Sequence, residues 1–117
     1  MTENQAYIDQ EQPNLSYIRE MSGGDTAFEE HMINIIRTEL AEEKSIYYEN
    51  MQSKRYKLSA DNVHKIKHKI GILGLEQAYQ VAINYELGLL SGDISLQIKF
   101  ESILNSMSEF INGIDNS

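Results

Sequence analysis

The chain has 117 residues, enough for one domain with one core, and its 41% hydrophobic content suits a compact fold. It contains no cysteine, which excludes disulfides and thiolate metal sites and fits a reducing compartment. Its net charge of −8 argues against nucleic acid as a partner, because a phosphate backbone needs a positive field.

Residues 1–13 read as a flexible leader, polar and acidic at the start, without the basic-then-apolar order of a signal peptide. Asn14 is a good N-cap for a short helix carrying Leu15 and Ile18, which Ser22-Gly23-Gly24 breaks. Asp25 caps a long helix, with Glu29 and Glu30 at the positive end of its dipole. Its apolar positions Phe28, Met32, Ile35, Ile36 and Leu40 continue through Ile46, Tyr47 and Met51, and it ends near Ser53. A basic loop follows, and Ser59 is the next N-cap, opening a helix with Val63, Ile66, Ile70 and Leu73 in one narrow stripe. Gly74 permits a sharp turn. Leu75, Ala78, Tyr79, Ala82, Tyr85 and Leu89 form the next helical face, closed by Ser91-Gly92. Asp93 caps a last helix whose seam is Leu96, Phe100, Ile103, Leu104, Met107, Phe110, Ile111 and Ile114.

No strand alternation is evident. Four substantial amphipathic helices with short connections predict an all-α fold, an antiparallel up-down four-helix bundle with a short additional N-terminal helix. The bundle is expected over residues 14–114, with residues 115–117 a tail. No apolar run approaches the roughly 18–20 residues that span a bilayer. A cytoplasmic monomer away from the membrane is the expectation.

The charge is unevenly distributed. Lys54, Arg55, Lys57, Lys65, Lys67 and Lys69 are six of the ten basic residues, with Asp61 the one acid among them. Such a run reads either as a solvated helix face or as a small positive platform on an acidic body. On a wheel of about 100° per residue, His64 and His68 fall about 140° and about 180° from the apolar stripe. Lys67 borders their face and Gly71 lies beside His64. A satisfied core histidine is therefore a poor reading of either ring.

An imidazole titrates near pH ~6.5, so it is largely neutral and nucleophilic at pH ~7. Neighbouring lysines favour the neutral ring and attract a phosphoryl group, while a glycine on the same face lets a partner's surface approach. The patch is suited to accepting phosphoryl.

The run His64-Lys65-Ile66-Lys67-His68-Lys69-Ile70-Gly71-Ile72-Leu73-Gly74 resembles the signature of the histidine-containing phosphotransfer (HPt) domains of two-component phosphorelays. That signature is a histidine, then an apolar residue two positions on, a lysine at three, a small residue at four and a glycine at ten. His64, Ile66, Lys67 and Gly74 match it. The opening Leu15-Ser16-Tyr17-Ile18 through Gly23-Gly24-Asp25 and Phe28 is also similar, and Glu86 sits where the next helix often carries an acid. The resemblance covers about Asn14 to Ile114. One departure is plain: His68 replaces the small residue and would restrict docking or modulate transfer.

The resemblance implies a phosphoryl carrier. His64 would be the phosphoacceptor, Lys67 the stabilising charge, and Lys65, Lys69 and Gly71 part of the docking surface. It further implies partnership with response-regulator receiver domains and a hybrid sensor histidine kinase. There would be no cofactor of its own, Mg²⁺ in the partner receiver domain, and no kinase activity. The residues leave two other readings open. One is a phosphorylation-independent interaction module whose basic face grips an acidic partner. The other is a metal site on the i, i+4 pair His64 and His68, disfavoured because lysines surround the pair and no third ligand is evident. Tyr47, Tyr48, Tyr79 and Tyr85 read as packing and rim residues, and Glu39, Glu42, Glu43 and Glu49 as a solvated face.

Overall fold

The computed structural model describes residues 11–114; residues 1–10 of the expected leader and the tail 115–117 lie outside the described residues. Among the described residues there are five α-helices and no strand: α1 (Ser16–Ser22), α2 (Thr26–Gln52), α3 (Tyr56–Ile72), α4 (Glu76–Leu90) and α5 (Gln97–Asn112). No helix among them is long and apolar enough to cross a membrane.

The expected Asn14 cap is corrected: the capping position of α1 is Leu15, without a side-chain cap bond, and Asn14 Oδ1 accepts the Ser16 N–H at 3.0 Å in a local turn two residues long. Gly23, at φ 56°, closes α1 in the left-handed conformation, as expected of the break there. Asp25 Oδ1 accepts the Phe28 N–H at 3.1 Å to start α2. Two later caps are corrected. The reversal between α2 and α3 is complete by Arg55, whose N–H donates to the Asn50 carbonyl at 2.8 Å, with Lys54 at φ 58°. Helix α3 therefore begins before Ser59, which lies buried inside it and bonds back to the Arg55 carbonyl at 3.1 Å. Asp93 accepts from the Ser95 N–H at 2.9 Å, closing a local turn, and α5 starts only at Gln97.

Residues 11–13, expected as leader, are docked. The Glu11 carboxylate accepts the N–H groups of Gln77 and Ala78 at 2.8 and 2.9 Å, satisfying orphan donors at the start of α4. Pro13 is buried, and the Asn14 N–H donates to the Leu73 carbonyl at 2.8 Å.

Helix α2 packs on α3 and α5, α4 packs on the same two helices, and α1 packs on α2. One core runs between them, with Leu40, Tyr47, Ile66, Ile70, Tyr85, Phe100, Leu104 and Met107 fully buried. The stripe expected on α2 shifts by a fraction of a turn. Ile33, Ile36, Leu40, Tyr47 and Met51 face inward, whereas Phe28, Ile35 and Ile46 are each more than a third exposed. Steps of three, four, seven and four hold one helix face, and Ile35 and Ile46 fall outside that register.

A polar network crosses the core. Tyr47 donates to Glu101 at 2.9 Å, and its oxygen lies 2.7 Å from the Tyr85 hydroxyl. Burial pushes the Tyr47 phenol far above its ordinary range and the Tyr85 phenol up to about 12. A buried Asn50–Asn62 hydrogen bond of 2.7 Å ties α2 to α3.

Candidate functional site

Helix α3 fixes the site by what it buries. Val63, Ile66 and Ile70 are all at 0% exposure, so the residues opposite them must face solvent. His64 and His68 stand there, as the wheel predicts, and the His64 side chain is 51% exposed.

The partner that organises His64 comes from the next helix. Glu86 on α4 places its carboxylate oxygens 3.1 and 3.2 Å from His64 Nδ1. The same carboxylate takes the Lys67 ammonium at 3.0 Å. An ionised carboxylate accepts only, so the chemistry assigns the proton to Nδ1 and leaves the lone pair on Nε2. Lys67 lies 3.4 Å from Nδ1, and two donors at that distance share the carboxylate rather than bond to each other. The carboxylate thus holds the ring from its Nδ1 side, and Nε2 is left without a protein hydrogen bond among the described residues.

Glu86 enters the sequence reading only as an acid on the following helix; its direct contact with the ring is a tertiary fact. The signal lies in the count. His64 and Glu86 are 22 residues apart and straddle the turn at Gly74 almost evenly, which puts them level when α3 and α4 pack side by side. Gly74 adopts φ 78°, and a Cβ there would meet Asn14 Nδ2 at 2.6 Å. The turn needs glycine for both reasons.

The remaining site residues divide. Lys67 is mostly covered, with a 13% exposed side chain whose ammonium lies 6.0 Å from the Tyr79 ring centroid. Gly71 is exposed, and a Cβ there would meet Tyr79 at an ordinary 3.5 Å, so internal packing gives no reason for glycine. Lys65 is exposed on the α2 side, where it borders a groove with Glu39, Glu42, Glu43 and His68.

Lys69 corrects the expectation that it joins a docking surface. It is buried and turned to α2, with Nζ 2.9 Å from Glu43 and 3.1 Å from Glu39. The six-residue positive platform is therefore divided: Lys54, Arg55 and Lys57 lie at the α2–α3 turn, while Lys67 and Lys69 are neutralised by ion pairs. By the same contacts, Glu39 and Glu43 are not merely a solvated face.

His68 lies one turn along from His64, the two rings perpendicular with centroids 5.0 Å apart. Among the described residues there is no group of three or more histidine and acidic side chains arranged to hold a metal ion. His31 borders a separate surface depression with Asn34 and Thr38 and does not join the pair.

No family model, no curated protein and no solved structure matches the chain.

Proposed function

We propose that this chain is a phosphoryl carrier of a two-component phosphorelay, similar to HPt domains, with His64 as phosphoacceptor. The observation that carries the reading is the carboxylate behind the exposed ring: Glu86 holds Nδ1 and leaves Nε2 bare toward solvent.

The chemistry follows from that arrangement. Nε2 attacks the phosphorus of an acyl phosphate on a receiver domain, the P–N bond forms, and the P–O bond to the aspartate breaks. The aspartate leaves as a carboxylate, and the proton on Nδ1 stays in place throughout. The ring becomes a phosphorylated imidazolium whose positive charge faces Glu86. Onward transfer reverses the steps on a second receiver. With Nδ1 still protonated, the imidazole leaves as a neutral molecule. Phosphoryl transfer depends chiefly on positioning and charge. Glu86 supplies positioning, Lys67 charge beside the acceptor, and Gly71 clearance for the docking surface.

On this reading the four long helices form an antiparallel up-down bundle, supported by the side-by-side packing of α2, α3, α4 and α5. Partners are receiver domains of response regulators and of a hybrid sensor kinase, which bring the Mg²⁺. The carrier acts as a cytoplasmic monomer with no kinase activity of its own.

The test is label transfer from phosphorylated receiver domains to the wild type, His64→Gln and His68→Gln. Acid-labile, alkali-stable label lost only in His64→Gln is the expected result. Label lost only in His68→Gln would move the acceptor one turn. Receiver binding that survives His64→Gln, with no label in any protein, would favour the phosphorylation-independent module.

A further inference from the structure

His68 has a place at the site that no step above uses. Its ring is perpendicular to that of His64, at 90° and 5.0 Å between centroids, and among the described residues neither of its nitrogens has a hydrogen-bond partner. His64 has its Nδ1 edge occupied by Glu86, so a group carried on Nε2 projects into the solvent space that His68 borders. A phosphoryl group adds three strong acceptor oxygens there. With its ring centre 5.0 Å from that of His64, the His68 imidazole can swing toward them by side-chain rotation.

We propose that His68 is a phosphoryl-binding residue: its imidazole donates an N–H to an oxygen of the phosphoryl group on His64 Nε2 and lengthens the life of phosphohistidine against water. The inference rests on the carrier reading and adds to it a second side chain that touches the transferred group. In hydrolysis, water adds to phosphorus, the P–N bond breaks, its electron pair returns to Nε2, and phosphate leaves. The loose transition state draws on charge held by the phosphoryl oxygens. A donor that holds this charge in the ground state slows the step.

A neutral imidazole offers one N–H and an imidazolium two, so the ring has a donor for the phosphoryl oxygens in either form. The groups around His68 are His64 and Lys65 on its own helix and Lys69 bordering the same groove. Glu39, Glu42 and Glu43 face it from α2, and Glu86 from α4 lies beyond the His64 ring.

The experiment loads the wild type, His68→Ala and His68→Asn with the small donor phosphoramidate and follows decay of the phosphohistidine ³¹P signal. Wild type should outlast His68→Ala by about two- to tenfold, the factor of one hydrogen bond. His68→Asn, which keeps an N–H donor, should recover part of the lost lifetime. His68 is exposed, and thermal melting checks that the variants keep the fold. Equal lifetimes of His64-bound phosphoryl in all three proteins would overturn the role of His68 and leave the carrier reading standing. Signal that persists in His64→Gln and vanishes in His68→Ala would make His68 the acceptor and overturn the role proposed here. No phosphohistidine in any protein, with either phosphoramidate or phosphorylated receivers, would overturn both.

Discussion

Glu86 Oε2 lies 3.1 Å from His64 Nδ1, and its other oxygen takes Lys67 at 3.0 Å, so one carboxylate orients the ring and anchors the lysine beside it. Removing it frees both at once. Glu86→Ala should slow phosphoryl acceptance by His64 by about ten- to a hundredfold, the range of one charged hydrogen bond. Glu86→Gln, which accepts without the charge, should fall between the two. Single-turnover label transfer measures this. Rates equal to wild type in both variants would remove Glu86 from the site.

Lys69 provides a contrast on the same helix. Its ammonium is 2.9 Å from Glu43, with side chains only 10% and 15% exposed. Lys69→Met should destabilise the fold by about 1–4 kcal/mol, because it leaves Glu43 largely covered and without its cation. Adding Glu43→Leu should recover most of that loss, since an apolar pair can replace a covered ion pair. Urea unfolding reads both changes. Phosphoryl acceptance by the double variant should match wild type, because Lys69 faces α2 and not His64.

Gly74 matches the glycine of the HPt-like signature, and its role here is backbone geometry. At φ 78°, with Asn14 Nδ2 2.6 Å from the site of a Cβ, Gly74→Ala should cost about 1–3 kcal/mol. It should also disturb acceptance, because the turn sets the register that brings Glu86 level with His64. Unfolding curves and transfer rates on one preparation would show the two effects together. A variant unchanged in both would show that the turn tolerates a side chain.

The tyrosine network predicts an alkaline limit. Tyr85 is raised to about 12 and Tyr47 is raised further, each chiefly by burial, while an unfolded tyrosine ionises near ~10. The native state therefore holds more phenolic protons than the unfolded state above pH ~10, and stability falls as pH rises. The contribution is fully present below pH ~10, and the part from Tyr85 is lost between about 10 and 12. Tyr47→Phe should reduce this slope and cost about 1–3 kcal/mol at neutral pH, because it removes the Tyr85 and Glu101 partner. Chemical unfolding across the alkaline range measures the slope. A wild-type slope unchanged in the variant would refute the assignment.

Much of this was legible before the structure. Val63, Ile66, Ile70 and Leu73 share one face of α3, and helical periodicity alone turns His64 and His68 away from it. Asp25 and the Gly23-Gly24 break set the start of α2 by local hydrogen bonding and glycine's conformational freedom, which neighbouring residues determine. Local spacing failed where a cap competed with a better turn. Ser59 and Asp93 are both good N-cap residues, yet the reversal at Lys54–Arg55 ended before one, and the other was used in a shorter turn.

The sequence alone determined the helical class, the phase of each short helix and the exposure of the two histidines, because these depend on residue type and spacing within a few turns. Only the tertiary structure decided which charges meet. Lys65, Lys67 and Lys69 alternate along one helix and look alike in sequence. Packing against α2 and α4 covers Lys69 with Glu43, covers Lys67 with Glu86 and leaves Lys65 exposed. A side chain's electrostatic partner depends on the helix that packs beside it, and that is set by the whole core.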